Sequence, residues 1–109
     1  MKKSDSTMKK YEVQIRKEVK NDIEEIKDFI VEKTSKENAE RYAAELYAEI
    51  ASLAYLSDCI KVSEWNTAKK FSKREKLLVT SNKKWSILFH TYKNIVIIDK
   101  ILPSKMIKN

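Results

Sequence analysis

Tyr11, Val13 and Ile15 alternate with Glu12, Gln14 and Arg16, the period of two that marks a half-buried strand. The period then lengthens. Val19, Ile23, Ile26 and Ile30 recur at spacings of four, three and four, and Phe29 widens the stripe. This predicts an amphipathic helix from about Glu18 to Lys33. Thr34-Ser35-Lys36-Glu37-Asn38 interrupts the pattern, and Thr34 and Glu37 stand at capping-box spacing, which marks a second helix start. Ala39, Ala43, Leu46, Ile50 and Leu53 then repeat at four and three, flanked by Tyr42 and Leu56, to about Ser57. So short a connection folds the two helices into an antiparallel hairpin. Core packing accounts for both stripes, and the alanines allow close approach.

Asp58 to Ser72 has no clear period and reads as a loop, with Lys61 to Trp65 a short extended piece at most. Leu77 to Thr80 predicts a strand and Ser81 to Lys84 a turn. In the segment that follows, Trp85, Ile87 and Phe89 alternate with Ser86, Leu88 and His90, a strand pattern of aromatic and β-branched residues. Ile95 to Ile98 is an unbroken β-branched run, which predicts a strand covered on both faces. Lys93-Asn94 lies between them as a tight turn, with Asn94 tolerating positive φ. A two-stranded hairpin is barely stable alone, so it needs the other elements as cover. The order predicts an α+β fold: an N-terminal strand, an antiparallel helical hairpin, then a three-stranded antiparallel meander (β-α-α-β-β-β). The helical pair covers one face of a four-stranded, mostly antiparallel sheet. Residues 9–109 form one domain on this reading, residues 1–8 a disordered tail, and Met8 a second start.

Composition narrows the chemistry. The chain has 109 residues, 42% of them hydrophobic and 36% charged. It has no glycine, which excludes the P-loop and the Rossmann fingerprint, both of which need backbone to approach phosphate closely. One cysteine, Cys59, and one histidine, His90, exclude an intramolecular disulfide and a Cys/His zinc site. No metal and no cofactor are expected. No stretch approaches the roughly 20 apolar residues of a membrane span, and no apolar segment follows the basic N-terminus as in a secretory signal. A reducing cytoplasm is the expected setting. The net charge of +7 favours a polyanionic partner: nucleic acid, the ribosome or an acidic protein.

Lys69, Lys70, Lys73, Arg74 and Lys76 fall within eight residues, and Lys83 and Lys84 occupy the next turn. Pairing of Leu77–Thr80 with Trp85–Tyr92 is expected to bring both clusters to one end of that hairpin, a patch suited to phosphate. A lysine run alone is more often a solvated surface. His90 has the titration range for general acid or base work, although a lone histidine on a half-apolar face is more often structural. Asp99 is expected to pair with a basic residue across the sheet. Trp85 is in phase with the core positions, and Trp65 is the better surface contact. Nothing beside Cys59 marks it as a nucleophile.

The chain resembles the RelE/ParE superfamily of bacterial toxin–antitoxin toxins. The resemblance is carried by Tyr11-Glu-Val-Gln-Ile, Val19 to Ile30, the alanine-rich second helix ending near Ile50-Ala-Ser-Leu53, Arg74 ahead of a strand, Trp85-Ser-Ile-Leu-Phe, and Ile95 to Ser104. It spans about residues 9–105. It implies a compact toxin neutralised by a cognate antitoxin, with one of two targets: RelE-like toxins cut mRNA in the ribosomal A site, and ParE-like toxins inhibit DNA gyrase. RelE-like enzymes usually place an arginine after the aromatic of the penultimate strand, where this chain has Ser86. They often carry a C-terminal tyrosine or histidine, and Pro103 to Asn109 has neither. His90 and Arg74 remain as catalytic candidates. Lys69, Lys70, Lys73, Arg74, Lys76, Lys83, Lys84 and Lys105 are the target-binding candidates. The basic patch favours translation, by mRNA cleavage. The two departures favour gyrase. A non-toxic RNA- or peptide-binding module of the same fold is the third alternative.

Overall fold

The computed structural model describes residues 10–107; the expected tail over residues 1–8 and the second start at Met8 lie outside them. The elements are β1 (Glu12–Ile15), α1 (Lys17–Lys33), α2 (Lys36–Leu56), a 3-10 turn (Ser57–Cys59), a one-turn α3 (Asn66–Lys69), β2 (Lys76–Val79), β3 (Trp85–Tyr92), β4 (Ile95–Pro103) and a final 3-10 turn (Ser104–Met106). The sheet order is β1-β4-β3-β2. The three later strands form the antiparallel meander. β1 lies parallel to β4, with Val13 opposite Val96 and Ile15 opposite Ile98, so the sheet is mixed. Parallel neighbours need a long crossover, and the helical hairpin supplies it.

The α2 stripe is buried as its spacing predicts: Ala39, Ala43, Leu46, Ile50 and Leu53. From α1 only Val19 and Ile23 are fully buried. Ile26 and Ile30 are half-buried and Phe29 is 61% exposed, so the α1 stripe is narrower than its apolar residues suggest. The helices pack with Tyr11, Ile87, Phe89, Val96, Ile98 and Ile101 into the main core. Lys100 Nζ donates to Asp22 Oδ2 at 2.7 Å, tying β4 to α1.

Ser35, not Thr34, caps α2: its Oγ accepts from the Asn38 N–H at 3.1 Å. Thr34 closes α1 instead, donating from both its N–H and its Oγ1 to the Ile30 carbonyl. The positive φ of the β3–β4 turn is at Lys93, 56°, and Lys83 has another of 64°. Asn94 is not in that region, because a two-residue turn closing a right-twisted pair places the left-handed residue by position and not by preference.

The strand with both faces covered is β3, not β4. Ser86, Ile87, Leu88 and Phe89 are all buried, while Ile95 and Ile97 are only half-buried. Leu88 and Ala68 are fully buried yet lie outside the main core. Leu88 alternates with core residues and therefore faces away from the helices. The 58–75 segment runs beside β2, through a Val62–Lys76 bridge and a Ser63 N–H to Glu75 carbonyl bond of 2.8 Å.

Candidate functional site

The register separates the two lysine clusters. β2 pairs with β3 from Lys76–Phe89 to Val79–Ser86. Lys69 to Lys76 therefore lead into one end of β2, and Lys83 and Lys84 leave the other, about 10 Å away at a strand rise of roughly 3.3 Å. The Lys83–Lys84 turn is held against α2, where the Ser81 N–H donates to the Glu49 carboxylate and Asn82 Nδ2 to the Tyr42 hydroxyl. Trp85 Nε1 also donates to that hydroxyl, at 2.7 Å, which fixes Trp85 at the core margin. The Ser104 N–H donates to the Lys84 carbonyl, so Lys105 belongs to this far end.

The near end holds a basic groove that sequence spacing did not reveal. Lys61, Arg74, Lys76 and Lys93 line it together with Asp58 and Tyr92. Lys61 and Lys93 join Arg74 only because the 58–75 segment and the β3–β4 turn meet there. Lys76 Nζ donates to the Ser57 carbonyl at 2.8 Å. Lys69 pairs with Glu64 at 3.2 Å. Lys70, Lys73 and Trp65 are exposed.

On the sheet face away from the helices, beside this end of β3, four ionisable groups converge from four parts of the chain. Glu75 precedes β2, His90 is on β3, Asp99 is on β4 and Arg16 follows β1. A β-bulge places Asp99 there: Phe89 pairs with Ile98 but Leu88 with Lys100, so Asp99 is the extra residue. Arg16 is brought opposite by the parallel pairing, with its N–H donating to the Ile98 carbonyl.

Asp99 Oδ1 accepts from Arg16 Nε at 2.7 Å, and Asp99 Oδ2 lies 2.6 Å from His90 Nδ1. A carboxylate only accepts, so Nδ1 carries a hydrogen, and in the neutral form of the ring Nε2 is the unprotonated nitrogen. His90 Nε2 has no partner among the described residues, and the side chain is 23% exposed. Burial acts to raise the Asp99 carboxyl, but Glu75, Arg16 and His90 outweigh it and hold the group below its ordinary 3.8. The Arg16 guanidinium is pushed up by the bond to Asp99 and by its charge. Arg16 is half exposed, and only its Nε is used.

Glu75 differs from the others. Its side chain is fully buried, and the polar groups around it are His90 and the Asp99 carboxylate, with which the Glu75 carboxyl shares a hydrogen bond. Oε1 lies 3.6 Å from His90 Nδ1. Burial, then the hydrogen bond to Asp99 and that carboxylate's charge, push its pKa up from 4.5 to about 9, against the opposing pull of Arg16. At neutral pH it is therefore a neutral carboxylic acid.

Sequence reading had singled out His90 and given Asp99 a basic partner across the sheet; the structure supplies two such partners, Arg16 and His90. It missed Arg16 and Glu75. Arg16 reads as the polar phase of β1 and Glu75 as the one acid in a lysine run. Ser86, at the position of the family arginine, is buried and shares a 2.9 Å hydrogen bond with Ser104 Oγ. It is four residues, about 13 Å, along β3 from His90.

No family model matches the chain, and no curated protein matches it. Among solved structures it is similar to a chain described as the chromosomal ParDE TA system from P. aeruginosa, with a TM-score of 0.71 and 15% identity over 85% of this chain and 95% of that one. At this identity the likeness establishes the fold. The α+β architecture is the one implied by the resemblance to the RelE/ParE superfamily. None of the helices among the described residues is long and apolar enough to cross a membrane.

Proposed function

We propose that the chain is the single-domain toxin of a type II toxin–antitoxin module, restrained by a cognate antitoxin, and that it acts in the cytoplasm on translation by cutting mRNA. The shared fold with a chain of the P. aeruginosa ParDE TA system supports the toxin part. The observation that carries the nuclease part is His90, held by Asp99 at Nδ1 with Nε2 unpartnered and Arg16 beside it. Cleavage through the 2′-hydroxyl needs a base and a cation for the phosphate charge. His90 Nε2 takes the hydroxyl proton, the 2′-oxygen attacks phosphorus to give a 2′,3′-cyclic phosphate, and the departing 5′-oxygen takes a proton from solvent as its bond to phosphorus breaks. The unused N–H groups of Arg16 face the phosphate oxygens. The groove of Lys61, Arg74 and Lys93 holds the flanking backbone.

Gyrase inhibition without nuclease activity is the second reading. It is favoured by Ser86, which is buried and bonded to Ser104 at the family's arginine position. Pulse labelling after induced expression in growing bacteria separates the two. On the nuclease reading methionine incorporation falls first, and His90→Gln restores growth while the protein still accumulates folded. An earlier fall of thymidine incorporation assigns gyrase. Unchanged labelling with folded protein present overturns the toxin reading.

A further inference from the structure

Glu75 and Asp99 set two carboxyl groups together at a buried spot, joined by a hydrogen bond between them. Burying two carboxyls side by side is costly, and His90 adds a third ligand-type group 3.6 Å from Glu75 Oε1. One donor atom each from Glu75, His90 and Asp99 can be chosen so that all lie within 4.8 Å of one another. Side-chain exposure runs from 0% for Glu75 through 9% for Asp99 to 23% for His90, so the cluster is closed at its base and open at one side.

We propose that Glu75, His90 and Asp99 form a binding site for one divalent transition-metal ion. Donors on one tetrahedral ion at about 2.0–2.2 Å stand roughly 3.3–3.6 Å apart. His90 Nδ1 is 3.6 Å from Glu75 Oε1 and 2.6 Å from Asp99 Oδ2, and no pair of the three donors exceeds 4.8 Å, so side-chain shifts on the order of 1 Å bring them to that spacing. One imidazole and two carboxylates suit zinc, manganese, iron(II) or cobalt, whereas magnesium and calcium prefer oxygen alone. The outer shell is present too: Arg16 Nε donates to Asp99 Oδ1, the oxygen facing away from His90, and holds the carboxylate in orientation. Three protein ligands leave a coordination position open towards the exposed side of His90 for water or an anionic ligand.

Binding requires the Glu75 proton to leave for solvent and the ring to change tautomer, losing its hydrogen at Nδ1 and taking one up at Nε2. The metal-loaded form and the base-competent form of His90 thus exclude each other. The site itself does not depend on the nuclease reading, and its test reads metal directly.

The test uses the untagged full-length chain, stripped with EDTA and titrated with Co²⁺ and then Zn²⁺. The expected result is one Co²⁺ per chain with visible d–d absorption, displaced by Zn²⁺, at a dissociation constant in the micromolar range or below. Because His90 is the only histidine, its ring NMR signals report the site without ambiguity, and Co²⁺ should shift or broaden them at one equivalent. Glu75→Gln and Asp99→Asn should each weaken binding at least tenfold, and Cys59→Ser should leave it unchanged. If Glu75→Gln fails to fold, the ring signals of the unmodified chain still decide. Overturning results are His90 signals that ignore the metal, saturation only at millimolar metal, or binding that survives Glu75→Gln and is lost in Cys59→Ser. Metal binding without effect on translation would leave this site standing and remove the nuclease reading.

Discussion

At the scale of single residues, Glu75 and Asp99 make stability depend on pH in opposite ways. Glu75 keeps its proton in the folded chain up to about 9 but loses it near 4.5 when unfolded. Between those values the unfolded chain binds fewer protons, so stability is full below 4.5 and falls as pH rises towards 9, by up to about 1.4 kcal/mol per pH unit. The groups facing it are Asp99 from β4, His90 from β3 and Arg16 after β1. Asp99 acts the other way: its contribution is present above 3.8 and is lost as pH falls below that value. Glu75→Gln keeps the shape and removes the titration. Denaturant unfolding in EDTA from pH 5 to 9 should show a falling curve for the natural chain and a flatter one for the variant, which should be the more stable of the two at pH 9. Parallel curves would mean that Glu75 ionises freely in the folded state.

At the scale of elements, the helical hairpin depends on a two-residue hinge in which each residue serves a different helix. Ser35 caps α2 and Thr34 closes α1. Ser35→Ala leaves the Asn38 N–H without its side-chain acceptor and should lower stability by about 1 kcal/mol. Thr34→Ala removes only a hydroxyl donor to a carbonyl that the Thr34 N–H already engages, and should cost less than half as much. Equal losses in thermal or denaturant unfolding would restore Thr34 as the cap, as its spacing from Glu37 suggested. The bulge at Asp99 is the other element-level device. In a regular ladder Asp99 would face Phe89 or Leu88 in step; the extra residue re-aims it towards His90 and Arg16.

At the scale of the whole molecule, two basic clusters occupy opposite ends of the meander. One carries the groove of Lys61, Arg74, Lys76 and Lys93 beside the His90 cluster. The other carries Lys83, Lys84 and Lys105, braced on α2. Single-stranded RNA is expected to bind at the first end. Changing Lys61 and Arg74 together to Ala should weaken binding and reduce the slope of log affinity against log salt by about 1.4, two contacts at roughly 0.7 each. Changing Lys83 and Lys84 together should leave both nearly unchanged. Anisotropy titrations at several salt concentrations measure this, and equal effects from the two pairs would show that the charge acts as a diffuse cloud.

Periodicity in the sequence determined the elements. Side chains on one helix face or one strand face repeat at 3.6 or 2 whatever the chain does elsewhere, so the α2 stripe, the β1 alternation and the order of elements along the chain could be read directly. The lack of glycine likewise excluded whole classes of phosphate-binding loop. His90 stood out because it is the only histidine. What tertiary structure alone decided is who meets whom. The β2–β3 register sent the lysine clusters to opposite ends. The parallel pairing of β1 with β4 brought Arg16 across 83 positions to Asp99, and the bulge turned Asp99 to His90. Burial made Glu75 a neutral acid although it sits among lysines in sequence. Local patterning cannot encode these outcomes, because register, bulge position and burial follow from how distant segments pack, and a one-residue slip would place every one of these groups on the opposite face.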